Sequence, residues 1–341
     1  MQPIIPTADT IPAAWGWFQF LLLLTFPLHL LAMNAMVGGL TIGIVQHFRG
    51  GEIRTSLAHR IAVALPLIIA FTVNLGVAPL LFLQVLYGQF VYTSSILMGL
   101  FWISVIPLLI IAYYGAYLYD FKFKRLGSAG KFVALGVLLL FCFIGYFFSN
   151  NMLLMTLPER FAEYFQHRSG TMLVSAEQEF LPRYFHMMTG ALAVGGLFVA
   201  LLGQFRRRQN PDLAEHAADI GLKTFFYVSV INEGLGTWFL ISLPRQQMLL
   251  FMGRDLGATI VFVSALALVI GVLAASYRRK LALTLAGTVL LVYLMSFMRS
   301  WLRTDLLADF YNLSQLQVVP QYSSMVLFLV CLVGGVITVG W

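Results

Sequence analysis

Three ionisable side chains sit inside long apolar runs of this 341-residue sequence: His29, His186 and Glu233. An ionisable group is costly in hydrocarbon, so each is a candidate for chemistry. From Arg49 back to His29 is 20 residues, and from Arg206 back to His186 is again 20. At 1.5 Å of rise per helical residue, both imidazoles lie roughly 30 Å from that basic end, at one depth. Imidazole is the commonest metal ligand, and haem iron takes axial His or Met. Two histidines at one depth on separate helices therefore suit haem b, either one haem held by both or two held singly. A hydrogen-bonded core histidine is the plain alternative at each position.

The neighbours extend this reading. Gly190 and Ala193 follow His186 at i+4 and i+7, a smooth groove that a porphyrin or another helix could fill. Met33 and Met36 follow His29 at the same offsets, a soft face that suits a macrocycle or core packing equally. Haem propionates call for fork-shaped donors, which Arg supplies better than Lys. Arg183, Arg245, Arg254, Arg299 and Arg303 all flank span ends near the depth of the two histidines, and are expected either to hold propionates or to anchor helices at headgroups. Glu233, in Asn232-Glu233-Gly234, lies near mid-membrane and could relay protons; a neutral, hydrogen-bonded carboxyl is the alternative. His47, His59, His167 and His216 fall in connections and are expected to be solvated.

The elements that must position these groups follow from composition. The chain is 60% apolar and 10% charged, against about a quarter charged in soluble domains, so a soluble fold is excluded. Apolar runs at about 16–46, 61–86, 95–119, 131–152, 184–205, 222–243, 256–277, 281–302 and 322–341 are each of spanning length. They predict an all-α polytopic bundle of about nine spans in one integral membrane domain, arranged as two four-helix-like bundles and a peripheral helix. Segment 153–183, mixing four Glu with Phe161, Tyr164, Phe165 and Phe180, reads as a connection lying along the outer surface. No internal repeat and no linker divide the chain.

Of the 21 Lys and Arg, 14 fall in the connections after spans one, three, five and seven. The positive-inside rule then places those connections in the cytoplasm and the N-terminus outside, in a bacterial inner membrane. The last apolar run is the least secure span. Residues 1–15 lack the basic region of a secretory signal, so the first span is expected to persist as a helix. The two cysteines, Cys142 and Cys331, form no Cys-x-x-Cys pair, which excludes c-type haem attachment within this chain. No phosphate loop, Gly-x-Ser-x-Gly or His-Glu-x-x-His is present, which removes nucleotide-dependent and hydrolase readings. The net charge of +7 sits in the connections, and no nucleic-acid partner is expected.

Three segments resemble subunit I of the cytochrome bd quinol oxidases. Phe26-Pro27-Leu28-His29 through Gly38-Gly39 is similar to the first-helix segment whose histidine ligates that family's oxygen-site haem. Asn74-Leu75-Gly76-Val77-Ala78 with Tyr87-Gly88-Gln89 resembles its second-helix end. Pro182-Arg183-Tyr184-Phe185-His186 through Gly195-Gly196 is similar to the fifth-helix motif whose histidine ligates low-spin haem b. The resemblance covers roughly the first two thirds of the chain, in order and spacing. It implies separate haems at His29 and His186, with Met252 as the methionine opposite His186 and Met248 and Met298 as rivals.

The departures matter equally. Gln84 stands where the family carries a carboxylate, and the run from Ser95 to Tyr119 contains none, so the family's proton route to oxygen is missing. Its Gly-Arg-Gln-Pro-Trp motif is replaced by Met298-Arg299-Ser300-Trp301-Leu302-Arg303, and its quinol-binding loop shrinks to Pro244–Asp255. The expectation is a haem b subunit passing electrons near the outer face, between a quinol pool and c-type cytochrome or iron-sulfur partners within a larger membrane complex. A shortened oxidase reducing oxygen at His29, and a structural anchor without cofactors, are the alternatives.

Overall fold

The computed structural model describes residues 4–166 and 168–340; His167, expected in a solvated connection, lies outside them. The described chain is all helical apart from short turns, and its one β-type pairing joins Ile11 to Val318. In lipid the backbone has no water to bond, so an apolar run must satisfy its own N–H and C=O groups as a helix. The long helices are α1 (Trp15–Arg49), α2 (Glu52–Leu97), α3 (Gly99–Phe121), α4 (Ala129–Leu154), α5 (Phe180–Arg206), α6 (Pro211–Ser242), α7 (Leu256–Tyr277), α8 (Leu281–Leu306) and α9 (Tyr322–Gly340). Seven of them are long and apolar enough to cross a membrane. The other two of the nine expected spans are α6, whose apolar half is interrupted by Asn232 and Glu233, and α9, an apolar helix with 17 described residues from Tyr322 to Thr338.

The helices form two four-helix groups, α1–α4 and α5–α8, with the α9 side chains exposed at the periphery. The two groups meet along α1 and α5, where Gly38 and Gly195 bring the backbones into direct contact. A Cβ on Gly38 would lie 2.9 Å from the Gly195 Cα, and one on Gly195 would collide with Gly38 in return. This small-residue seam needs glycine on both sides. Spacing along each helix is then the same: Gly38-Gly39 follow His29 by nine and ten residues, and Gly195-Gly196 follow His186 by nine and ten. Two helical hairpins, α1–α2 and α5–α6, thus share one arrangement. The shared residues are too sparse to stand out along the sequence.

At the N-terminal face, α2 breaks its helical dihedrals at Tyr87 (φ −135°, ψ 33°). Its phenol ring, 1% exposed, packs under the guanidinium of Arg303 from α8. The α4–α5 connection folds over the α2–α3 junction, with Leu100 N–H donating to Gly170 and Met172 N–H to Leu97. Within it Arg160 clamps Glu163 and Glu177, and Phe161 is buried.

At the opposite face the expected solvation is corrected for His47, which is buried, while His59 and His216 are half-buried. The short helix Phe123–Leu126 folds back after α3 and sets the Phe123 ring between the imidazoles of His47 (4.7 Å) and His59 (4.6 Å). His47 is 5% exposed and hydrogen-bonds through Nδ1 to the Tyr119 hydroxyl at 3.1 Å. His216 pairs through Nε2 with the buried Gln46 side chain at 3.1 Å. A fold-back by four residues buries what the sequence shows only as a basic connection.

Candidate haem-ligand site

His29 and His186 are held in the same way. The Nδ1 of His29 lies 3.0 Å from the Thr72 carbonyl of α2, and the Nδ1 of His186 lies 3.2 Å from the Asn232 carbonyl of α6. A carbonyl oxygen only accepts, so Nδ1 carries the proton and donates, and Nε2 of each neutral ring keeps its lone pair. Four residues after each carbonyl comes a glycine against which the imidazole rests. A Cβ on Gly76 would stand 2.8 Å from the His29 ring, and one on Gly236 would stand 3.1 Å from the His186 ring. Each site therefore needs a carbonyl and a missing side chain one helical turn apart on the facing helix. This orientation, Nδ1 tied to backbone and Nε2 open, is the one metal-ligating histidines adopt.

Helical phase decides between the one-site and two-site options. Nine residues at 100° each turn through 900°, so His29 and Gly38 occupy opposite sides of α1, and His186 and Gly195 opposite sides of α5. Both imidazoles point away from the seam, each into its own hairpin, so a single haem held by both histidines between α1 and α5 does not match this geometry. The groove foreseen beside His186 is filled by a helix: a Cβ on Gly190 would meet the Asn232 amide at 3.4 Å, and Ala193 is buried with Leu197 and Phe225. Met36 and Met33 likewise pack in the core of the first bundle with Leu40 and Ile69.

Around these rings several polar groups have no partner among the described residues. The Thr72 hydroxyl and the Asn232 side-chain oxygen, on the two residues whose carbonyls hold the imidazoles, are both buried and unbonded. Glu233 is half-buried, and only its backbone carbonyl is engaged, by the Thr237 hydroxyl at 2.9 Å. Gln84 is half-buried in α2 below the Tyr87 break.

The five candidate arginines separate into two kinds. Arg183 of α5 and Arg299 and Arg303 of α8 lie within electrostatic reach of one another, Glu179 lies within reach of Arg183, and among the described residues no carboxylate hydrogen-bonds any of the three. Arg299 stacks on Phe26 at 5.0 Å and Arg303 on Tyr87 at 4.8 Å, while the Arg303 Nε is buried without an acceptor. Arg254, in contrast, is ion-paired to Asp305, which also accepts from Gln247 at 3.1 Å, and Arg245 is exposed. Of the methionines, Met298 packs with Leu250, Phe251 and Trp301, whereas Met252 is 53% exposed at the turn before Gly253. Neither has a described contact with His186.

Thr72 and Gly236 are residues that sequence reasoning passed over, and Asn232 and Gly76 entered it only as a neighbour of Glu233 and as part of a resembling segment. The recoverable signal was a polar residue followed four positions later by glycine in the helix after each histidine-bearing span. Among the described residues no three His, Cys, Asp or Glu side chains converge as a metal cluster. Comparison with known proteins gives no matching family model and no matching curated protein. What is established is a multi-pass helical membrane protein.

Proposed function

We propose that this chain is a haem b-binding subunit of a respiratory electron-transfer complex, related to subunit I of the cytochrome bd oxidases. The observation that carries the reading is the pair of imidazoles with Nδ1 given to a backbone carbonyl and Nε2 left open. A haem at each supplies an iron that takes up and releases one electron. The chain's own residues do the rest. Thr72 and Asn232 fix the tautomer and raise the basicity of the ligand nitrogen, and Gly76 and Gly236 let each ring seat against the facing helix.

Three guanidiniums gather at the edge of an apolar bundle with Glu179 as the carboxylate in electrostatic reach of Arg183, so positive charge is left in excess, and the unbonded Arg303 Nε is a donor open to an anionic partner. Arg183, Arg299 and Arg303 would hold propionates; Arg254 is committed to Asp305. Gln84 can hold water but cannot change its protonation, which favours electron transfer over oxygen reduction. The basic connections give the orientation: N-terminal face outward in a bacterial cytoplasmic membrane, with a quinol pool and a c-type cytochrome or iron-sulfur subunit as electron partners.

The reduced-minus-oxidised spectrum of the purified protein tests this. Two b-type components are expected, with His186→Ala and His29→Ala each removing one and sparing the other. No haem band overturns the reading in favour of a structural anchor, and a d-type band overturns it in favour of an oxidase.

A further inference from the structure

Between α2 and α3 lies a groove of about 280 Å³, lined by Ile69, Val73, Asn74, Leu109, Ile110 and Tyr113 and open to the lipid side. It is apolar except for two groups. Asn74 is exposed, and its amide donates one N–H to the Ala70 carbonyl at 2.8 Å, leaving the second N–H and the side-chain oxygen free. The Tyr113 hydroxyl, half-buried, sits 3.4 Å from that of Tyr117. Both lie well inside spanning helices, where no water satisfies the free groups of the Asn74 amide and an acyl chain cannot, while the Tyr113 hydroxyl is shared with Tyr117. The cavity approaches the lower limit of about 300 Å³ for small-molecule pockets, room for one ring but not for a long tail. The isoleucines beyond it on α3, Ile103 and Ile106, are 69% and 64% exposed and would line the path of such a tail.

We infer that this groove binds the ring of a membrane quinone or quinol, with Asn74 and Tyr113 hydrogen-bonding its oxygens. A flat ring with polar oxygens on a lipid-soluble body meets all three features at once: the apolar walls, the free amide groups of Asn74 beside the Tyr113–Tyr117 hydroxyl pair, and the opening to lipid. The position is apt. Asn74 is two residues from Thr72, which turns it about 200° around α2 from the carbonyl that holds His29, so only the width of α2 separates groove and imidazole. The choice of ligand class rests on the electron-transfer reading, and it gives that reading a quinone site in a chain whose Pro244–Asp255 connection is short.

Photolabelling of the full-length protein in lipid nanodiscs with a short-tailed azido-benzoquinone tests the site. Label is expected on α2 and α3 peptides carrying Asn74 and Tyr113, displaced by decyl-benzoquinone. Asn74→Leu and Tyr113→Phe should each lower it about tenfold, and His29→Ala should leave it unchanged. Ala70→Phe, which narrows the groove without removing a polar group, should lower it likewise in protein whose unfolding temperature matches the parent. Label elsewhere, label insensitive to all three groove substitutions, or label displaced equally by added phospholipid alone overturns the assignment. Binding is read without reference to haem. Labelling at α2–α3 in a protein lacking any haem band would overturn the electron-transfer reading and leave this site standing.

Discussion

Replacing Gly76 by alanine tests whether the imidazole seat governs cofactor binding. The added Cβ would begin 2.8 Å from the His29 ring, and ordinary contact starts near 3.4 Å, so the ring must retreat by about 0.6 Å. Because Gly76 and Thr72 belong to one helix, retreat from the first is retreat from the second. The Nδ1 to carbonyl distance of 3.0 Å then grows toward about 3.6 Å, beyond a useful hydrogen bond. Loss of the group that orients a ligating histidine costs about 10–100-fold in metal affinity, or about 1.4–2.8 kcal/mol. At Gly236 the Cβ begins 3.1 Å from the ring, so the retreat is about 0.3 Å and the loss should stay below about tenfold. Haem content of purified protein after dilution, measured by pyridine haemochrome, is the assay. Gly136→Ala serves as control, since nothing lies within 4 Å of a Cβ there. Full occupancy in Gly76→Ala, or loss of the His186 component in place of the His29 component, would refute the reasoning.

Two further outcomes concern the faces of the bundle. Single cysteines replacing Arg207 or Arg279 should resist an impermeant thiol reagent in intact cells, since both stand in connections on the basic side; labelling there would reverse the orientation. At the N-terminal face, burial pushes the Glu179 carboxyl above its ordinary range, with Glu177 adding to the rise and Arg183 opposing it. An acid raised in the folded state costs stability once ionised, so stability is greatest below about pH 4.5 and falls as pH climbs through the raised value. Glu179→Gln should flatten the unfolding temperature between about pH 4 and 7, and an unchanged pH profile would refute that assignment.

What the sequence determined by itself was what a bilayer imposes locally. A backbone in hydrocarbon must bond within its own segment, so apolar length fixes that helices form and rise per residue gives an expected depth, while the helices run past the apolar runs, as α2 does from Glu52 to Leu97 against the expected 61–86. That is why His29 and His186 could be set at one level from Arg49 and Arg206 alone. Lateral arrangement obeys no such local law. Which carbonyl receives each Nδ1 depends on how α2 lies against α1 and α6 against α5, and this turns on glycines whose meaning is the neighbour they admit: Gly38 against Gly195, Gly76 against His29, Gly236 against His186. The arginines were alike by residue type and depth, and only packing separated Arg254, paired with Asp305, from Arg183, Arg299 and Arg303, gathered with no carboxylate hydrogen-bonded to them among the described residues. His47 looked solvated because its connection is basic, and the four-residue fold-back carrying Phe123 buried it. Helix existence and depth are set along one chain segment at a time; partners are set by side-chain volume across helices, and only the tertiary structure decides those.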